Sequence, residues 1–330
     1  MEKQLYPSQK TLARKITLSG TGLHTGLPSS VSILPARPGS GIIFYNSFQN
    51  FFIPATRRFV DKKASVLSTV LSCRSGQIQT VEHVLSALAG MGITNAMIEV
   101  CSQEIPILDG SSKPYVSEIL KAGIVSQTEP SPLFEVTKSV QYRDGEKLFK
   151  ALPYKGLKVD YSVDFGGKFR QRQELVVTPK TYMTELSSAK TFCLASDLEK
   201  IREKGLAKGG TRENALIVGE TRILNPEVQS FHDELVRHKI LDFIGDMSLV
   251  GGTIAGSFVV NKGGHRFHLE CLEALVSENV LKRVVPEKQK LNKEKIYDQN
   301  IGLGSRRQEA VSGQPRRQDS NTSLSCSSIA

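Results

Sequence analysis

Residues 237–246 read RHKILDFIGD. At about 100° per residue on a helix, His238, Asp242 and Asp246 fall within one narrow sector, while Val236, Ile240, Phe243, Ile244 and Met247 gather on the opposite side. An imidazole and two carboxylates on one stripe are donor types that hold a metal. The same pattern also describes a helix that packs by its apolar face and leaves a solvated polar one, so other segments must separate the two readings. Catalytic zinc needs three protein ligands and one open position, and His238 with Asp242 would supply two. His83 is the candidate for the third, because Glu82 beside it would place a carboxylate where a general base takes a proton from water. Taken alone, a Glu-His pair on a helix is uninformative, because a surface or helix-terminus role is commoner than ligation.

His265 lies in NKGGHRFH, where two glycines tighten a turn and leave the imidazole projecting. Such a ring can protonate a leaving amine or stabilise an intermediate, or simply be an exposed turn residue. Asp246, one turn beyond Asp242, is placed to orient that ring and keep it protonated. His24 in GTGLHTG has three open readings: a structural turn residue, a weak second metal ligand or a substrate contact.

These residues need elements to position them. ARKITLSGTGLHTG, SVSILPARPGSGIIFY and ITNAMIEVCSQEIPIL read as strands with glycine turns. TVEHVLSALAGMG reads as a helix, with Thr80 as N-cap and Val84, Leu85 and Leu88 on its buried side. SSKPYVSEILKAG gives a second helix, ending at Gly123. The proline-rich stretch 127–133 reads as a linker between a domain of residues 1–126 and one of residues 134–284. In the second domain FEVTKSVQYR, EKLFKALP and LKVDYSVDF read as strands. A helical segment around DLEKIREKGL, the helix of His238 and a closing strand-turn-strand, TIAGSFVVNKGGHRFH, follow. EHVLSALAG and RHKILDFIG echo each other, as in a duplication or by chance.

At 330 residues with 39% hydrophobic content, the chain has enough material for two ordinary domains. No run approaches the roughly 18 apolar residues of a membrane span, and the start MEKQLYPSQK has neither signal nor transit character, which makes the cytoplasm the default address. The five cysteines are scattered singly, as reduced thiols are. The net charge of +10 raises nucleic-acid binding, but residues 281–330 carry ten Lys/Arg against five Asp/Glu, so half of the excess sits in this terminal piece. Residues 285–330 are too polar to build a core and read as a disordered tail.

The segments SGTGLHTG, TVEHVLSALAGMGITNAMIEV, EIPILDGSSKPYV, SSAKTFCLASDLEKIREKGLAKGGTRENALIV, FHDELVRHKILDFIGDMSLVGG and KGGHRFH together closely resemble the UDP-3-O-acyl-N-acetylglucosamine deacetylases, the zinc amidases of lipid A synthesis. The resemblance implies an α+β fold of two related domains, each a β-sheet with paired helices packed on it, facing each other with the active site between them. It implies zinc held by His83, His238 and Asp242, Glu82 as general base, His265 as acid or electrostatic stabiliser with Asp246 as its partner, and Thr191 steadying the developing oxyanion. The insert near 187–219, with Leu194, Leu198, Ile201, Leu206 and Ala215 broken at Gly209-Gly210, becomes a passage for a fatty acyl chain, with Leu23 near its mouth and Phe192 in its wall. Lys239 and Lys262 become partners for sugar or diphosphate oxygens, and Asp164 and Phe165 match the region near the nucleotide. The partner implied is the UDP-3-O-acyl-N-acetylglucosamine substrate, with no nucleic acid and no membrane span, and a monomer is expected.

A zinc hydrolase of this fold acting on another acylated substrate and a basic nucleic-acid-binding protein are the competing readings, which metal content and salt-sensitive RNA affinity separate. The terminal stretch has no support from the resemblance. A chain ending near residue 286 is therefore expected to keep its zinc content and any amide hydrolysis, and loss of turnover on that truncation would contradict the reading of the tail.

Overall fold

The computed structural model describes residues 7–166 and 169–284. The chain divides into two units, Met1–Lys288 and Gln289–Ala330. The second unit, and with it the tail expected from residue 285, lies outside the described residues.

The first half runs β1 (Ser8–Leu12), β2 (Ile16–Thr21), β3 (Pro28–Pro35), β4 (Ile42–Asn46), β5 (Phe51–Pro54), β6 (Val70–Cys73), β7 (Gly76–Gln79), α1 (Glu82–Gly90), β8 (Ala96–Val100), α2 (Lys113–Ala122) and β9 (Ile124–Pro130). Five strands form a sheet in the order β2-β3-β8-β4-β5. Its pairs are antiparallel except β4 with β8. The period of two decides which side is buried: Val31 and Ile33 on β3 and Ala96, Ile98 and Val100 on β8 have no exposed surface. Val84, Leu85 and Leu88 of α1 join this core, as do Tyr115, Val116 and Ile119 of α2. Helix α2 stops at Gly123, whose φ of 84° is left-handed backbone that favours glycine.

Thr80 does not cap α1. Its φ is 61° and its hydroxyl donates to the buried Glu104 carboxylate at 3.0 Å, so Val81 takes the cap position without a side-chain bond. The stretch expected to be a linker is partly strand: β9 runs to Pro130 and pairs antiparallel with β1.

The second half runs β10 (Leu133–Val136), β11 (Val140–Asp144), β12 (Lys147–Leu152), β13 (Leu157–Asp164), β14 (Arg170–Val177), α3 (Pro179–Thr181), β15 (Phe192–Leu194), α4 (Leu198–Glu203), β16 (Leu216–Val218), α5 (Glu234–Ser248), β17 (Thr253–Asn261), α6 (His265–Ser277) and β18 (Leu281–Val284). Seven of these strands form one sheet, ordered β11-β12-β17-β10-β18 with β13 also on β17 and β14 on β13. The expected closing strand-turn-strand is a strand-turn-helix. Lys262 turns the chain at φ 52°, and His265 is the first residue of α6. Phe267, His268, Cys271, Leu272 and Leu275 are buried at intervals of three and four, the helical rather than the strand period.

Helix α5 departs most from the expectation of a one-sided helix. Leu235, Val236, Ile240, Leu241, Phe243, Ile244 and Met247 are buried, and so is the polar stripe, with His238 at 2%, Asp242 at 1% and Asp246 at 0% exposure. It packs on α1, α6, β13 and β14. The fold is α+β: two sheet-and-helix halves joined through α1 and α5. Gly245 permits that crossing, because a Cβ there would lie 2.3 Å from the Glu82 carbonyl oxygen. Gly245→Ala is expected to force the helices apart at a cost of about 1–3 kcal/mol, read as a lower denaturation midpoint, and an unchanged midpoint would show that the crossing relaxes freely.

Candidate active site

The α1–α5 crossing collects side chains far apart in the sequence. His83 on the first turn of α1 places Nε2 3.6 Å from Asp242 Oδ1, and His238 Nε2 lies 3.3 Å from the same oxygen. The two imidazoles meet edge to face with centroids 5.1 Å apart. All three residues are buried, and their donor atoms lie within 4.8 Å of one another. His238 Nδ1 is 3.1 Å from the Ala189 carbonyl oxygen. A carbonyl only accepts, so Nδ1 carries the proton and Nε2 presents its lone pair to the cluster. Burial lowers the pKa of His238 to about 3 and keeps the ring neutral, the form that ligates a metal. Burial opposes ionisation of Asp242, but the Lys239 and His265 cations and the adjacent His83 ring hold its carboxyl well below the usual range.

Asp242 Oδ1 has no hydrogen-bond partner among the described residues although its residue is 1% exposed. An ionised buried oxygen without a donor is costly unless a cation completes it. The donor set, two imidazoles and a carboxylate, is one that suits zinc.

Two further groups face this cluster. Glu82, one residue before His83, is buried, with Oε2 accepting the Thr69 N–H at 2.9 Å. Burial raises its pKa, aided by Asp242 and Asp246 and opposed by His265 and His83. His265 Nε2 lies 3.8 Å from Glu82 Oε1 and 3.7 Å from Asp242 Oδ2. Its Nδ1–H is donated to Asp246 Oδ2 at 2.9 Å. Burial disfavours a charged ring, but Asp246, Asp242 and Glu82 outweigh it and raise the His265 pKa to about 9. His265 is 5% exposed, so the exposed-turn alternative fails, and it sits at a helix start, not on a strand.

The insert lies alongside. A cavity of about 240 Å³ is lined by Leu23, His24, Thr191, Phe192, Leu198, Ile201 and Gly210, among others. Parallel strands β15 and β16 form one wall. Gly209 packs directly on the Leu23 loop: its N–H donates to the Leu23 carbonyl at 3.0 Å, and a Cβ would meet the Gly22 oxygen at 2.2 Å. Thr191 is fixed by its backbone, donating to the Gly110 carbonyl and accepting from Leu216 N–H, both at 2.8 Å. The Phe192 ring reaches His238 at 6.1 Å and Phe165 at 5.2 Å between centroids. Lys239 Nζ bonds Asp242 Oδ2 at 2.7 Å and sits 5.5 Å above the Phe192 ring. Lys262 Nζ lies 2.8 Å from Glu146 and 3.3 Å from Asp164. His24 is 6% exposed, and neither of its ring nitrogens has a partner among the described residues. Burial lowers its pKa.

Sequence reasoning missed Thr69, Tyr161, Glu104 and His268. Thr69 donates its N–H to Glu82 and its hydroxyl to Asp246 at 2.5 Å, and no local pattern announces it. Glu104 accepts from His24 N, Thr25 N and the Thr80 hydroxyl at 2.8, 2.8 and 3.0 Å, tying the His24 loop to the start of α1. His268 stands three residues after His265 in HRFH, a spacing that puts both on one helix face once the segment is read as a helix.

Fold and site together define the class: an α+β enzyme whose buried imidazoles and carboxylates gather where two sheet-and-helix halves meet. The chain belongs to the UDP-3-O-acyl N-acetylglycosamine deacetylase family, whose model matches residues 9–277. Among its relatives, the UDP-3-O-acyl-N-acetylglucosamine deacetylase of Cellvibrio japonicus is 41% identical over 276 residues, 82% of this chain and 90% of that protein. Those of Thermodesulfovibrio yellowstonii and Xanthomonas oryzae pv. oryzae are 39% identical over 272 residues and 38% over 276. Each alignment takes in 82% of this chain, with 92% and 90% of the respective relative.

Asp242→Ala removes the carboxylate shared by both imidazoles and is expected to abolish tight metal binding by elemental analysis. Full metal retention in that variant would place the metal elsewhere.

Proposed function

We propose that this chain removes the N-acetyl group of UDP-3-O-acyl-N-acetylglucosamine, releasing acetate and leaving the free amine for lipid A synthesis, with zinc held by His83, His238 and Asp242. The observation that carries the reading is the Asp242 oxygen that lacks a hydrogen-bond partner among the described residues and lies between two imidazoles, faced by Glu82 and His265 and bordered by an apolar passage. The chemistry zinc supplies in such a cage is Lewis acidity toward a carbonyl oxygen and an attacking water.

The chain's own residues do the rest. Glu82, kept from solvent and raised in pKa, accepts the proton of the attacking water through Oε1, while Thr69 N–H pins the other oxygen. Thr191, fixed by two backbone bonds at the edge of the passage, presents its hydroxyl to the developing oxyanion. His265, held as a cation by the carboxylates around it, donates from Nε2 to the leaving amine. Leu23, Phe192, Leu198 and Ile201 give the acyl chain an apolar wall, and Gly209 and Gly210 let the 205–211 loop close on the Leu23 loop. Lys239, beside Asp242, and Lys262, beside Asp164, are assigned to substrate oxygens. Among the described residues no helix is long and apolar enough to cross a membrane. The proposal takes the enzyme as a cytoplasmic monomer, with residues 1–126 and 134–284 as its two domains.

The deciding experiment is incubation with UDP-3-O-acyl-N-acetylglucosamine, with and without a chelator, followed by acetate assay. Chelator-sensitive release of acetate is expected, and no release by metal-loaded enzyme would refute the proposal. Glu82→Ala is expected to keep its metal yet lose about 10²–10⁴-fold in turnover, whereas equal loss of metal would mark Glu82 as a ligand. The pH–rate profile should have two limbs. Glu82 must be ionised, and its raised pKa sets an acid limb above the ordinary value of 4.5. His265 must be protonated, so the rate falls as pH rises through about 9, with a bound cation moving both limbs down. A profile flat across this range would argue against the pair.

A further inference from the structure

Behind His265 lies a buried chain of hydrogen bonds that the mechanism above leaves unused. Nδ1 of His265 and Nδ1 of His268 both reach the same oxygen, Asp246 Oδ2, at 2.9 and 2.8 Å. The other oxygen of Asp246 accepts the Thr69 hydroxyl at 2.5 Å. His268 Nε2 then meets the Tyr161 hydroxyl at 2.8 Å. His265 is 5% exposed, while Asp246, His268 and Tyr161 have no exposed surface, so water does not complete these bonds.

The proton positions follow by elimination. Asp246 stays ionised: burial opposes its charge, but His265 and His268 outweigh burial and lower its pKa. An ionised carboxylate only accepts, so each imidazole turns an Nδ1–H toward it. Burial also lowers the pKa of His268, which leaves Nε2 with a lone pair. Burial holds the Tyr161 hydroxyl protonated, and it donates to that lone pair. The opposite tautomer of His268 would set a lone pair against the carboxylate.

The backbone is shaped around the far end of this chain. A Cβ on Gly263 would stand 2.5 Å from the Tyr161 hydroxyl oxygen and 2.7 Å from His268 Nε2. Gly263 therefore lies against the Tyr161–His268 bond, two residues before His265. The turn that delivers His265 to the site and the bond that fixes His268 share one tightly packed position.

We propose that Tyr161 and His268 are positioning residues for His265: Tyr161 fixes His268 as the Nδ1–H tautomer, and His268 steers Asp246 Oδ2 so that His265 keeps Nε2 toward the reacting amide. This rests on the acid role given to His265 above. Without the His268 donor, the only remaining donor to Asp246 Oδ2 among the described residues is His265, and the carboxylate and the ring beyond it lose their fixed orientation. Losses of this kind typically amount to about 10–100-fold in activity.

The test uses the full-length, metal-loaded enzyme with acetate release as the assay, alongside His268→Phe, His268→Asn and Tyr161→Phe. Long-range ¹H–¹⁵N spectra of the histidine rings are recorded in parallel. The wild-type spectrum is expected to show His268 as a neutral Nδ1–H ring. His268→Phe should lower kcat about 10–100-fold, with KM and metal content unchanged. Asparagine places a side-chain N–H where the imidazole Nδ1–H stands, so His268→Asn should recover most of that loss. Tyr161→Phe keeps volume and fold, and should lower kcat in the same sense while mixing the His268 tautomers. An Nε2–H or cationic His268 in the wild type, unchanged kcat in Tyr161→Phe, an effect on KM alone, or an asparagine variant no better than phenylalanine would each overturn the inference. Failure of the wild type to release acetate would overturn the proposed function instead, and the ring spectrum judges the hydrogen-bond chain by itself.

Discussion

Everything in this molecule turns on a helix that is buried on all sides and nevertheless carries two aspartates in its interior turns. Asp242 and Asp246 are 1% and 0% exposed within α5. An ionised carboxylate withdrawn from water costs several kcal/mol unless donors replace its hydration. Asp246 is fully compensated, taking Thr69 on one oxygen and two imidazoles on the other. Asp242 is compensated on Oδ2 by Lys239, while Oδ1 is left between two imidazole nitrogens with no hydrogen bond from the described residues. The two carboxylates stand one helical turn apart, yet one is finished as structure and the other is left open for chemistry. That difference supports the assignment of a cation to Asp242 and of a positioning role to Asp246.

The same desolvation drives neighbouring groups in opposite directions. Burial raises the Glu82 pKa and drives the His238 pKa to about 3, whereas Asp246, Asp242 and Glu82 overcome burial at His265 and raise it to about 9. One cluster thereby contains a neutral imidazole suited to ligation, a charged imidazole suited to giving a proton, and a carboxyl poised to take one. The divergence depends on distances that come from the α1–α5 crossing, where Gly245 lets the backbone of Glu82 approach. A small shift of one half against the other would change every one of these interactions together.

Support around the site is as specific as the site itself. Glu104 binds the His24 loop and Thr80 at once, so the wall of the apolar passage and the start of α1 share one buried carboxylate. Thr69, just ahead of the β6–β7 hairpin, joins Glu82 to Asp246 across the two halves. Both are short-range bonds between residues remote in sequence, and neither follows from a motif.

Local sequence determined the strand halves of the fold, α1, α2 and α5, the Gly123 stop, and the identities of His83, His238, Asp242, Glu82 and His265 as candidates, because periodicity and residue chemistry are properties of neighbours along the chain. It misread the α6 region, where two glycines and a histidine looked like a hairpin turn although Phe267, His268, Cys271, Leu272 and Leu275 carry a helical period. It left open whether the polar stripe of α5 is a metal site or a solvated face, since amphipathic spacing reports polarity and not what covers it. Which residues meet was decided only by tertiary structure. The pairing of His83 with Asp242, the bond from Thr69 to Glu82, the shared oxygen of Asp246 and the divergent pKa values all arise from burial and from contacts between α1, α5 and α6. Desolvation and Coulomb energies depend on distance in space, and the linear chain encodes that distance only through the packing of the whole.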